Sequence, residues 1–94
     1  MNQEKDLLPV GSIVKLFDGT KRLMIMGRLH RNLENNQIYD YAGCFYPEGY
    51  QGGNTYYLFD HSQIECIFFL GLQDEEEFHY RQLLIEQLKQ IQNM

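Results

Sequence analysis

Short apolar runs alternate with polar, glycine-bearing breaks along most of the chain. Ser12–Phe17 (SIVKLF) is β-branched and aromatic and predicts a strand. Asp18-Gly19 follows, and a D-G pair between apolar runs predicts a type I′ hairpin turn, which needs positive φ at both central positions. The return strand, Lys21–Leu29, is apolar on both faces through Leu23, Met24, Ile25 and Met26, which predicts a central, doubly covered strand. Gly27 within it predicts a bulge or the close approach of another backbone. His30–Gln37 is polar and asparagine-rich and reads as a loop. Ile38–Tyr46 has Tyr39, Tyr41, Gly43 and Phe45 at every second place and predicts a third strand. Pro47-Glu48-Gly49 ends it, because proline cannot continue a central ladder. Thr55–Phe59 predicts a short fourth strand, Asp60–Gln63 a turn or a single helical turn, and Ile64–Leu72 a fifth strand, again apolar on both faces.

The period then changes. From Asp74 onward there is no Gly, Pro or β-branched run, and Asp74 with Glu77 fits a capping box. The acids at Asp74–Glu77 suit the positive end of a helix dipole. Phe78, Tyr80, Leu84, Ile85, Leu88 and Ile91 share one broad arc at 100° per residue, with Leu83 just outside it. A helix is therefore predicted from Glu75 to about Gln92. Strands followed by one amphipathic helix imply an α+β fold. Short connections favour a mostly antiparallel, curved sheet of about five strands, either open or closing into a partly open small barrel, with the helix against one face or over an open edge. Strand order does not follow from the pattern.

Composition narrows the picture. The 94 residues suffice for one domain (1–94), with residues 1–8 as a polar lead-in, 12–72 as the strand region and 74–92 as the helix. Net charge is −5 and the basic residues are scattered, so the basic patch of a nucleic-acid binder is missing. MNQEKDLLPV has neither the basic start nor the apolar core of a signal peptide. The longest uninterrupted apolar run, Cys66–Leu70, is far short of the ~20 residues that span a bilayer. The expected protein is cytoplasmic, without membrane insertion, and its two cysteines, Cys44 and Cys66, are expected to be free and buried.

Each candidate chemistry fails on spacing. The glycines of GYQGGN (Gly49–Asn54) match no phosphate loop, since no Lys-Ser/Thr and no helix start follows. His30, His61, His79, Cys44 and Cys66 include no pair at metal-ligand spacing. Asp60-His61 is adjacent, and neighbours in a strand point to opposite faces, so the pair reads as a turn in which Asp60 caps the backbone. Ser12 and Ser62 lie in no nucleophile elbow, and the apolar neighbours of Cys44 would raise its pKa rather than activate it. Asp40 and Glu48 are two acids in an acidic chain and define no pair. No catalytic residue, cofactor or metal is expected. The aromatic residues stand out more: seven tyrosines and six phenylalanines occur without a tryptophan. Tyrosine suits both binding surfaces and half-buried strands. Tyr46, Glu48, Tyr50 and Tyr56 are the candidate partner-binding residues.

Several phrases then fall in order: LLPVGSIV (Leu7–Val14), LMIMGR (Leu23–Arg28), YDYAG (Tyr39–Gly43), YPEGY (Tyr46–Tyr50), Phe59-Asp60-His61 before Ile64, then a strand running to Gly71 and the acids from Asp74. This order, over about residues 7–80, resembles a family of small proteins of Gram-positive bacteria catalogued as a domain of unknown function. Its members are encoded beside type VII (Esx-type) secretion systems and their LXG-type toxins. The resemblance implies a non-enzymatic accessory protein with a protein partner, a secreted toxin or another secretion component: a chaperone or targeting adaptor, or alternatively an immunity protein. The family brings no catalytic residues. Gly11, Gly43 and Pro47-Glu48-Gly49 read as structural positions within it. A partner would dock on a free strand edge by β-augmentation, or on the apolar arc of the helix if the sheet leaves it uncovered.

Overall fold

A computed structural model describes residues 7–92. It contains β1 (Ile13–Leu16), β2 (Leu23–Arg31), β3 (Ile38–Phe45), β4 (Tyr57–Phe59), β5 (Ile64–Phe69) and a final helix, α1 (Glu75–Gln92), with one 3-10 turn at His61–Gln63. The strands form one sheet in the order β4-β3-β2-β1-β5, antiparallel at every pairing. The fold is the α+β arrangement expected, and β2 is its central strand.

The sheet is open but must curl. β4 and β5 are opposite edges, yet only Asp60–Gln63 join them. Five flat strands would hold their edges ~19 Å apart, whereas a link of this length with a 3-10 turn inside it reaches roughly 13 Å. Register shifts supply the curvature: one in β2 between Ile25 and Gly27, and two where β5 pairs with β1. Gly27 therefore sits at a bulge, as predicted. The group that crowds it is a side chain, not a backbone, since a Cβ at Gly27 would lie 2.6 Å from His30 Nε2.

The core lies on the inner face of the curl. Val14 is paired with Leu23, Tyr41 with Phe59, and these pack with Ile25, Leu7, Leu8 and the helix residue Leu84. Leu7 and Leu8, read above as the end of a polar lead-in, are buried; residues 1–6 of that lead-in fall outside the described residues. The segment they begin is held tightly. Gly11 N–H donates to the Ile25 carbonyl, and a Cβ on Gly71 would collide with the Val10 carbonyl.

Four local expectations change. Neither Asp18 nor Gly19 has positive φ, so the β1–β2 turn is not type I′. Gly19 N–H instead bonds the Leu16 carbonyl, and Lys15 Nζ bonds the Leu16 and Gly19 carbonyls across a wider connection. β2 is not doubly covered: Leu23 and Ile25 are buried, while Met24 and Met26 are half-exposed. β5 is an edge strand with only Ile64 partly buried, so Cys66 is exposed and only Cys44 is a buried thiol. The capping box is half formed. Glu77 N–H bonds Asp74 Oδ1 at 2.9 Å, but the Glu77 carboxylate turns inward to two arginines.

That last contact also rotates the helix from its expected arc. Arg81 and Leu84 are buried, Glu77, Ile85 and Leu88 are half-buried, and Phe78, Tyr80 and Ile91 are exposed. The spacing 77-81-84-88 puts one stripe against the sheet. Arg28 rises from β2 beneath it, and the helix meets that cation with a carboxylate rather than with Phe78.

Candidate functional site

Two regions carry chemistry worth weighing. The first lies between the sheet and α1. Tyr41 is fully buried; its hydroxyl accepts the Leu8 N–H at 2.9 Å and lies 2.6 Å from His61 Nδ1. Burial pushes the Tyr41 pKa up to about 12, so the phenol keeps its proton, and the hydroxyl and the His61 imidazole share one hydrogen bond. Asp40 accepts the His61 backbone N–H at 2.8 Å, and Asp60 Oδ1 accepts the Asp40 N–H at 3.1 Å. Tyr41 thus ties the N-terminal segment, β3 and the β4–β5 link together. Beside it, Arg28 grips Glu77 with both terminal nitrogens, at 2.5 and 2.8 Å. Arg81 bonds the same carboxylate from Nε at 3.2 Å and Nη2 at 3.0 Å, and reaches Gln73 Oε1 at 2.8 Å. Burial pushes the Glu77 carboxyl up, but the hydrogen bonds and charges of Arg28 and Arg81 outweigh it and hold the group below the usual carboxylate range. The terminal nitrogens of Arg28 and the Nε and Nη2 of Arg81 meet on the Glu77 carboxylate, while the buried Arg28 Nε has no hydrogen-bond partner among the described residues. These groups act as a clamp on the fold.

The second region lies outside, where β1 and β5 meet the end of β3. Val14 opposes Ile67 and Ile13 opposes Phe69, so Phe68 is the extra residue of a bulge. The bulge lets adjacent phenylalanines line one open depression of about 400 Å³ with Gly11, Ile13, Arg22 and Tyr46. The Arg22 guanidinium stands 5.1 Å from the Tyr46 ring centroid and 5.6 Å from that of Phe68. The strand and its continuation leave Ile67, Phe68, Phe69, Leu70 and Leu72 at 47%, 55%, 61%, 46% and 77% exposure.

The four residues chosen from sequence fall in different places. Tyr46, at the cis Tyr46-Pro47 bond, lines the outer depression. Glu48 is exposed and pairs with Lys21 at 2.8 Å; that hydrogen bond lowers its pKa. Tyr50 and Tyr56 meet each other in the loop before β4, rings 6.4 Å apart, and Tyr50 donates to the Gly53 carbonyl at 2.9 Å. Tyr56 also borders a second depression with Arg31, Leu33, Tyr39 and Tyr57. Among the described residues no three His, Cys, Asp or Glu side chains converge on a metal-sized point.

Sequence reasoning missed Arg22, Phe68 and Phe69. The signal for the two phenylalanines is CIFFL, a run without alternation, which reads as a buried strand until the sheet order puts it at an edge; Arg22 carries no local signal. The Asp60-His61 turn is legible in the sequence, but the partner of the His61 ring, Tyr41, lies 20 residues away and leaves no local signal.

A family model described as Domain of unknown function (DUF4176) matches residues 7–80. No curated protein and no solved structure matches the chain.

Proposed function

The chain belongs to the DUF4176 family, a domain of unknown function, and from that premise we propose that it is a non-enzymatic accessory protein that binds another protein through its outer β5 surface. One observation carries the proposal: the adjacent Phe68 and Phe69 are 55% and 61% exposed and line one depression at an edge of the sheet. Exposed aromatic residues gathered on one depression favour a contact surface. Strand addition is the less favoured mode here, because the two register shifts along β5 interrupt a regular edge. Side chains packing onto the phenylalanines fit better.

The partner we propose is an LXG-type toxin of a type VII secretion system, bound in the cytoplasm as by a chaperone or targeting adaptor. The motif order LLPVGSIV, YDYAG and YPEGY supports that context. No helix among the described residues is long and apolar enough to cross a membrane. Co-expression with a toxin encoded in the same locus tests the proposal. The toxin is expected to co-purify with the wild-type chain and to be lost with Phe68→Ser/Phe69→Ser; absence of any toxin fragment would sink it.

Net charge favours a second reading, an immunity protein. A chain at −5 with exposed Glu75 and Glu76 suits a basic toxin domain. Rescue of cells expressing the toxin internally, without any effect on its export, would select this reading over the first.

A further inference from the structure

We propose that the depression around Arg22 receives a partner-protein segment carrying one carboxylate beside a large apolar side chain. The inference rests on the binding role above and specifies the chemistry it recognises.

Arg22 is exposed, and its side chain makes no hydrogen bond or ion pair among the described residues, while the adjacent Lys21 is neutralised by Glu48. Its guanidinium stands between the Tyr46 and Phe68 rings, at 5.1 and 5.6 Å. A guanidinium placed against aromatic rings keeps its charge and its rim of N–H donors available, and that fork fits a carboxylate in a bidentate way. The rings also hold the long side chain in place, so less freedom is lost on pairing.

Beside this cation, Ile13, Phe68 and Phe69 wall an apolar depression of about 400 Å³, room for a leucine- or phenylalanine-sized group. The two features adjoin, so one segment can satisfy both. The chain's charge of −5 works against a broadly acidic partner, which limits the match to an isolated acid rather than an acidic run. The same argument disfavours a second copy of the chain, whose exposed phenylalanine Phe78 follows the acids Asp74–Glu77.

The test uses two short, end-blocked peptides: one holding a leucine, a phenylalanine and a single glutamate in succession, the other with glutamine in place of the glutamate. Titration into isotope-labelled protein, followed by NMR, should shift Ile13, Phe68, Phe69 and the Arg22 Nε–H. The glutamine peptide should bind about fivefold more weakly. Arg22→Gln should bring the glutamate peptide down to the same level without changing the melting temperature. Equal binding of the two peptides overturns the inference. So does the absence of shifts with either peptide, or shifts confined to the loop of Tyr50 and Tyr56. Concentration-dependent self-association that Arg22→Gln abolishes would assign the surface to a second copy and overturn it as well. Toxin capture with no discrimination between the peptides would remove this inference and leave the binding role standing; peptide discrimination without toxin capture would remove the toxin as the partner and leave the chemistry of the surface standing.

Discussion

Phe59 and Phe69 are the same residue type on strands of one sheet, and they live in opposite surroundings. Phe59 is 1% exposed, packed against Tyr41 at 5.5 Å between ring centroids, under the helix. Phe69 is 61% exposed at a bulged edge beside Arg22. The inner region spends its polar groups on each other, with hydroxyl to imidazole and carboxylate to guanidinium. The outer region exposes an aromatic surface beside a guanidinium that has no hydrogen bond or ion pair among the described residues. The difference separates residues that hold the fold from residues available to a partner, and substitutions on the two sides should read it out.

The largest effect is expected inside. Phe59→Ala removes a fully buried ring from the centre of the core and should cost about 3–5 kcal/mol in denaturant unfolding. A domain of this size has a total stability on the order of 5–15 kcal/mol, so the variant should be marginal or unfolded at 37 °C. A loss under 1 kcal/mol would show that the inner face is not the core.

Next comes the buried ion cluster. Glu77→Gln leaves the Arg28 guanidinium, with a side chain 3% exposed, facing a neutral amide, and Arg81 loses the same partner. The expected cost is about 3 kcal/mol, because the charges left behind are already desolvated. The pH dependence has a definite sign. The folded state lowers the Glu77 pKa, so its contribution is present above the ordinary carboxylate value of 4.5 and is lost as pH falls below it through the folded pKa. Acid unfolding curves should therefore flatten below pH 4.5 in the variant relative to wild type.

Tyr41 titrates at the other end of the scale. Its folded pKa, about 12, exceeds the unfolded value of 10.0. The unfolded chain binds fewer protons between those values, so stability is complete below pH 10 and falls as pH rises toward 12, by about 2–3 kcal/mol in all. Tyr41→Phe should lack that alkaline loss. It should also be about 1–3 kcal/mol less stable at neutral pH, because the buried Leu8 N–H loses its acceptor. Parallel urea titrations at pH 7 and pH 11 separate the two effects.

How much of this was legible beforehand depends on whether the cause was local. The α1 boundaries were readable because Asp74, the acids after it and the absence of Gly and Pro act within a few residues. The bulge at Gly27 was readable for the same reason. The orientation of α1 was not. It depends on Arg28, far away in sequence, reaching Glu77 across the core, so an arc drawn from Phe78 and Tyr80 placed exposed aromatics inside. These rings instead flank the cations, Phe78 at 5.3 Å from Arg81 and Tyr80 at 5.6 Å from Arg28. The exposure of CIFFL was equally hidden, because an apolar run on a central strand and one on an edge have the same composition. Of the residues chosen for recognition, Tyr46 stands at the outer depression because the strand ends there. Arg22, just before β2, and Phe68, on β5, frame it, and only the sheet order brings them alongside.

The smallest expected effect is on the outer surface, and it bears most directly on the comparison. Phe69→Ser removes a ring that contributes little to the inner core, so the unfolding free energy should change by no more than about 0.5 kcal/mol. The variant should become more soluble as an exposed apolar group disappears. If Phe69→Ser instead costs as much as Phe59→Ala, the β5 surface is part of the core of the isolated chain, through packing that its 61% exposure does not reveal. The surface would then be unavailable to any partner. If stability holds while co-purification with a partner is lost, the two phenylalanines are separated by role as they are by exposure. The same pair of measurements on Phe68→Ser extends the test to the bulge residue, whose ring also borders Arg22.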